Sequence, residues 1–149
     1  MILPYETVFS RYRGLVNDPI ELSLEPGDLV EIYVERLKNV VGDPRVVAKF
    51  SELALYDETM QIEFTLKNSV SDLADYEFVT KLFSLGMAIN WLEPKVDSLN
   101  NVVLTLGGKE QKTLQNSYQA SKARLSDLES QFSRLLAYHG YINNSYIRS

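Results

Sequence analysis

Apolar residues recur along this chain at two spacings, and the strongest pattern lies in residues 71–94. One stripe there is Phe78, Leu82, Leu85, Ile89 and Leu92, and a second is Tyr76, Val79, Phe83, Met87 and Trp91. Steps of three and four keep each stripe on one side of an α-helix, and at 100° per residue the two lie roughly opposite each other. A helix that is apolar on two sides must be covered on two sides, so it is expected at the centre of the fold. Ser71 is placed to cap its start, and Asp72 and Asp75 suit the positive N-terminal end. Pro94 is expected to end it, giving about 23 residues and roughly 35 Å. Asp75, Glu77, Lys81 and Asn90 interrupt the run, so it is not a membrane span.

The flanking segments read in the same way. Residues 4–16 predict a first helix, with Pro4 at its first position and Tyr5, Val8, Phe9, Tyr12 and Leu15 or Val16 buried. After the turn Asn17-Asp18-Pro19 and a connector comes a second helix, from Pro26 or Asp28 to Val41. Its stripe is Leu29, Tyr33, Leu37 and Val40, with Glu31, Glu35, Arg36 and Lys38 facing water. Gly42 is expected as the residue just past its end, and Asp43-Pro44 to start a short helix through Val46, Val47, Phe50 and Leu53.

Residues 60–66 switch to period two: Met60, Ile62, Phe64 and Leu66 alternate with Gln61, Glu63 and Thr65, the pattern of a half-buried strand. Its nearest partner is residues 53–56, making a small hairpin over about 53–66. The edge could alternatively pair with a second copy or another protein, which makes Gln61, Glu63 and Thr65 candidate subunit contacts. Residues 95–106 allow a short helix, and Gly107-Gly108 is the strongest breaker in the chain, expected as a hinge and not as a phosphate cradle. Residues 109–138 carry a 4-3 seam of Leu114, Tyr118, Ser121, Leu125, Leu128, Phe132, Leu135 and His139. That seam either packs on the central helix or meets a neighbouring subunit, and Tyr118, Lys122 and Arg124 are the candidate contacts in the second case. Gly140 is expected to break this helix. Tyr141, Ile142, Tyr146 and Ile147 then give the tail an aromatic density suited to docking on a partner, with folding back on the monomer as the alternative.

The expected fold class is therefore mainly α: a helical bundle with a long C-terminal helix, a small β-hairpin and an extended C-terminal tail. Residues 1–139 form one domain and residues 140–149 a docking tail. Length agrees, since 149 residues bury a sizeable core without metals or disulfides. There is no Cys, which excludes thiol chemistry and thiolate metal sites. No secretory signal pattern opens the chain. The net charge of −5 argues against non-specific nucleic-acid binding. It is unevenly spread: residues 1–108 hold 9 basic and 17 acidic groups, a net of −8, and residues 109–149 hold 6 and 3, a net of +3. The basic end either docks on its own acidic body or meets an acidic neighbour.

Catalytic patterns are not found. The single histidine, His139, sits at a helix end, paired carboxylates such as Glu31 and Glu35 belong to a solvated helix face, and no metal-binding, Walker or nucleophile-elbow motif occurs. No enzyme activity, catalytic residue, metal or cofactor is expected.

The run Trp91-Leu92-Glu93-Pro94-Lys95-Val96-Asp97-Ser98, closing the apolar helix, resembles a small helical protein of the head gene cluster of tailed phages infecting Gram-positive bacteria. The similarity continues through Leu106-Gly107-Gly108-Lys109-Glu110, Tyr118-Gln119-Ala120 and the Leu-rich helix to Tyr138, with Tyr5 to Phe9, Arg11, Arg36-Leu37 and Phe50 on the N-terminal side. These are the head–tail connector proteins, also called adaptor or head-completion proteins. The resemblance implies a virion structural protein at the phage neck, assembled in the host cytoplasm as a homo-oligomeric, dodecameric ring below the portal protein. DNA would pass through its channel without specific binding, and the next neck, stopper or tail protein would dock on it. It also implies that the tail from Tyr141 reaches the portal. The alternative from another class is a cytoplasmic regulatory or adaptor module that binds one protein through the C-terminal helix and tail.

Overall fold

The computed structural model describes residues 1–105 and 107–142, with the side chains of 140–142 excepted. The elements run β1 (Ile2–Pro4), α1 (Tyr5–Leu15), α2 (Pro19–Leu22), α3 (Pro26–Val41), α4 (Pro44–Val47), β2 (Phe50–Tyr56), β3 (Gln61–Leu66), α5 (Asp72–Thr105) and α6 (Gly108–Ile142). The fold is mainly α: a bundle with two long C-terminal helices and a small antiparallel sheet.

α5 is the central helix. Phe78, Val79, Leu82, Phe83, Leu85, Met87 and Leu92 are all buried, and so are Thr80, Ser84, Gly86 and Ala88 between the stripes. α1 and α3 cover one side of it and α6 another. Phe50 at the start of β2 stacks on Phe83 with ring centroids 5.8 Å apart. Ser71 caps the helix as expected, its Oγ accepting the Ala74 N–H at 3.2 Å.

Gly86 allows the closest approach in this core. A Cβ built on it would lie 2.6 Å from Cγ1 of Val40 and 2.7 Å from its Cγ2, so α3 rests directly on the backbone of α5. Around that crossing, α1 and α3 interlock through aromatic edges: Phe9 to Tyr33 at 5.3 Å and Tyr12 to Tyr33 at 5.1 Å.

Several expectations need correction. Pro94 does not end the central helix; α5 continues to Thr105 with the proline inside it. A proline removes one backbone hydrogen bond and crowds the preceding turn, which bends a helix but ends it only when nothing holds the far side. Here Leu92, Val96, Leu99 and Val103 carry the apolar stripe across Pro94, and α6 packs along it. Gly42 does follow the end of α3, though with φ −75° it is right-handed. α4 ends at Val47, and Phe50 opens β2 instead of prolonging the helix. Arg36 is half-buried and paired, not facing water. α6 runs through Gly140 to Ile142, since one glycine costs a helix only about 1 kcal/mol.

The hairpin exists, but it is part of a larger sheet. β1 pairs with β3 on the side away from β2, giving the order β1-β3-β2. The Ile2–Pro4 segment is too short to show a period, and its proline is tolerated because β1 is an edge strand. β3 is therefore central, and along Gln61 to Glu63 both of its edges are already paired within the chain. Ile62, Phe64 and Leu66 point into the core, while Glu63 and Thr65 face outward. Gly108 takes the left-handed conformation, φ 72°, that lets α6 reverse against α5.

Gly86→Ala is expected to destabilise the fold by about 1–3 kcal/mol through overpacking, although the same change on an open helix face would stabilise by roughly 1 kcal/mol. Denaturant midpoints measured for Gly86→Ala, Val40→Ala and the double variant check this. The second substitution should recover part of the loss, and a stabilised single variant would contradict the close approach.

Candidate functional site

The segment with the most distinctive sequence, residues 91–98, does a structural job at the centre of a buried polar node. Asp18, 8% exposed, caps α2: its Oδ1 accepts the N–H of Ile20 at 3.0 Å and of Glu21 at 3.3 Å. Its Oδ2 accepts the indole N–H of Trp91 at 2.8 Å and lies 3.4 Å from the Lys95 ammonium. Lys95 also sits over the Trp91 ring, 5.1 Å from its centroid. Trp91 and Lys95 are one helical turn apart, so a single face of α5 grips the carboxylate. Burial alone would push Asp18 up, but the Trp91 hydrogen bond, the Glu21 N–H and Lys95 together outweigh it and hold the carboxyl below its ordinary value. Next to it Glu21 pairs with Arg36, which also donates to the Tyr12 hydroxyl at 3.1 Å. The node ties α1, α2, α3 and α5 together and is satisfied internally, so it offers no vacant acid or base.

The residues expected to make subunit contacts fall into two separate groups. Glu63 and Thr65 are on the outer face of the sheet, with Gln61 half-buried at its end. The sheet lies towards the C-terminal end of α6, where Lys49 is close enough to influence His139. Tyr118, Lys122 and Arg124 are on the first half of α6. Phe132 to Tyr118 is fourteen residues along that helix, roughly 20 Å at 1.5 Å each, so the structure does not bring the two groups together. Arg124 donates to the Leu15 carbonyl at the end of α1, and the Lys122 ammonium rests 5.7 Å from the Tyr118 ring centre. The seam of α6, from Leu125 through Leu128 and Phe132 to His139, packs on α5 of the same chain. Of the tail residues, Tyr141 and Ile142 belong to the last turn of α6 with side chains outside the described residues. Tyr146 and Ile147 lie outside them altogether.

Two surface features were not legible in the sequence. The first is the outer stretch of the α5–α6 hairpin. The core ends near Val96, and beyond it the two helices hold each other through Val103 and a bond from the Gln111 side chain to the Val103 carbonyl, 3.2 Å long. The nine residues of α5 past Val96 project roughly 14 Å. Leu104, 74% exposed, and Val102 leave an apolar tip. The second is a polar cleft of about 340 Å³ where α3, α4, α5 and α6 meet. Asp43 holds Arg45 on one side of it, and the Arg45 guanidinium lies 5.3 Å from the Phe132 ring centre. Among the described residues no group of three or more His, Asp or Glu could hold a metal ion, and no helix is long and apolar enough to cross a membrane.

His139 closes the C-terminal end of α6. It stacks on Phe78, with centroids 4.0 Å apart and planes at 17°, and among the described residues its Nε2 has no hydrogen-bond partner. Burial holds its basicity below the ordinary 6.5, and Lys49 adds to this, while Asp75 and a hydrogen bond to the backbone of Asn68 act the other way.

Two outcomes follow from this chemistry. Trp91→Phe should cost about 1–2 kcal/mol, because it leaves a buried carboxylate one donor short; circular dichroism must report it, since Trp91 is the sole tryptophan. As pH falls below about 6.5, the unfolded chain protonates its histidine before the folded one does, so stability complete above that pH declines on acidification. His139→Phe should flatten stability between pH 7 and 5. Asp18 and Asp43, whose folded carboxyls lie below 3.8, lose their contributions only in more acidic solution.

No family model, curated protein or solved structure matches this chain.

Proposed function

We propose that this chain is a head–tail connector of a tailed phage: a virion structural protein that forms a ring below the portal, extends the DNA channel and presents a docking surface to the next neck protein. The observation that carries this reading is the α5–α6 hairpin, which projects past the core and ends in an apolar tip at Val102 and Leu104. Exposed apolar surface on a thin projection is the kind that association covers. A second support is charge. The acidic body, net −8 over residues 1–108, and the basic end, net +3 over residues 109–149, suit head-to-tail contact between copies, the arrangement that closes into rings. The acidic body also suits a channel along which DNA slides without sticking. The sequence resemblance around Trp91 to Ser98 supplies the identity of the ring.

The test is native mass measurement of the chain co-expressed with the portal protein of the same virus, full-length and truncated after His139. A high-copy complex that is lost with residues 140–149 is the expected result, and Leu104→Asp should weaken ring formation without lowering the stability of the subunit. A monomer indifferent to the portal would overturn the assignment.

A further inference from the structure

The corner where α2 passes into α3 exposes more apolar side chain than a connection needs. Ile20 is 76% exposed, and Leu22, Leu24 and Val30 are exposed as well. Turns that only reverse the chain are built largely from Gly, Pro, Asn, Asp and Ser, whereas apolar groups gathered inside a polar rim mark surface kept for contact. The rim here is acidic. No lysine or arginine occurs from Asn17 to Glu35, a stretch that holds six acids. Asp18 and Glu21 are paired inside the fold with Lys95 and Arg36. Glu25, Asp28, Glu31 and Glu35 are exposed and have no ion-pair partner among the described residues. The corner is also held firmly, since Asp18 caps α2 and Glu21 is tied to α3 through Arg36. A surface fixed before it binds loses little freedom on binding.

The outer stretch of the α5–α6 hairpin has the matching chemistry. Val102 and Leu104 make its apolar tip. Glu110 is the one acid between Asp97 and Asp127, against Lys109, Lys112, Lys122 and Arg124. Within one chain the two surfaces do not cover each other, since Ile20 and Leu104 are both largely exposed. Lys95 is held at Asp18 beside α2, and Leu104 stands nine residues further along the same continuous helix, roughly 14 Å away.

We propose that the hairpin tip of one copy docks on the α2–α3 corner of the next, Val102 and Leu104 against Ile20, Leu22 and Leu24, with Lys109 and Lys112 towards Glu25 and Asp28. The two surfaces differ, so the contact is head-to-tail and closes into a ring when its rotation allows. Tip-to-tip and corner-to-corner pairing would bring like charges together, which disfavours both. This deepens the connector reading and rests on it for the closure of the ring.

Complementation between two broken copies tests the contact. Ile20→Asp spoils the corner and leaves the tip; Leu104→Asp spoils the tip and leaves the corner. Both positions are exposed, so each variant should keep the helix content and melting temperature of the parent chain. Native mass is measured for the parent, for each variant alone and for their equal mixture, with and without co-expressed portal. The parent should form the high-copy complex, and each variant alone should need at least roughly tenfold more protein to assemble. The mixture should give a dimer with one copy of each variant and stop there, because the tip and corner left over are both the altered ones. If Ile20→Asp assembles like the parent, or the mixture gives no mixed dimer, the proposal falls while the parent's ring leaves the connector reading standing. Self-association kept but portal binding lost in Ile20→Asp would assign the corner to the portal instead. A parent chain that never self-associates, alone or with the portal, removes both readings.

Discussion

The structure depends on the burial of α5 from all sides over residues 82–88. A helix clad in this way has no solvent face to absorb misfit, so each neighbour must come to the distance its side chains permit. At Gly86 that distance is set by the absence of a side chain: the methyls of Val40 occupy the space where a Cβ would stand. α3 can then lie low on α5, with Tyr33 and Leu37 buried above and the aromatic edges of α1 closing over them. The small sheet follows from the same packing, since Phe50 and Phe64 meet edge-on and Phe50 stacks on Phe83.

The polar node around Asp18 is the second requirement. Buried charges stabilise little in themselves, and their removal one at a time is costly because a partner is left unpaired. Asp18 satisfies the start of α2 with one oxygen and the face of α5 with the other. The node thus fixes where the chain enters after α1, and Glu21 with Arg36 carries the same registry across to α3. A motif that looks like a recognition signature in one dimension is, in three, a clamp.

What the packing leaves exposed is unevenly distributed. One end of the long hairpin is a narrow projection held by its own two helices, and the other end meets the sheet, the histidine and the start of the C-terminal segment. Exposed apolar side chains such as Leu73 and Leu104 therefore lie towards opposite ends of α5, with a closely packed body between them.

The sequence by itself determined the elements whose pattern is long: the two-sided central helix, the aromatic stripe of α1, the seam of α6 and the alternation in β3. It also located Ser71 as a cap and the glycine pair as a break before the last helix. These are local properties of spacing and side-chain type. Tertiary structure alone decided the rest. Three residues of β1 carry no period, so only their pairing with β3 makes them a strand and takes away the edge that Gln61 and Glu63 appeared to offer. Pro94 reads as a stop until Val96 and Val103 are seen buried against α6. Arg36 reads as solvated until Glu21 and Tyr12 are brought to it. Each of these outcomes rests on a partner distant in the chain, and the free energy of such contacts exceeds the local preference that spacing reports.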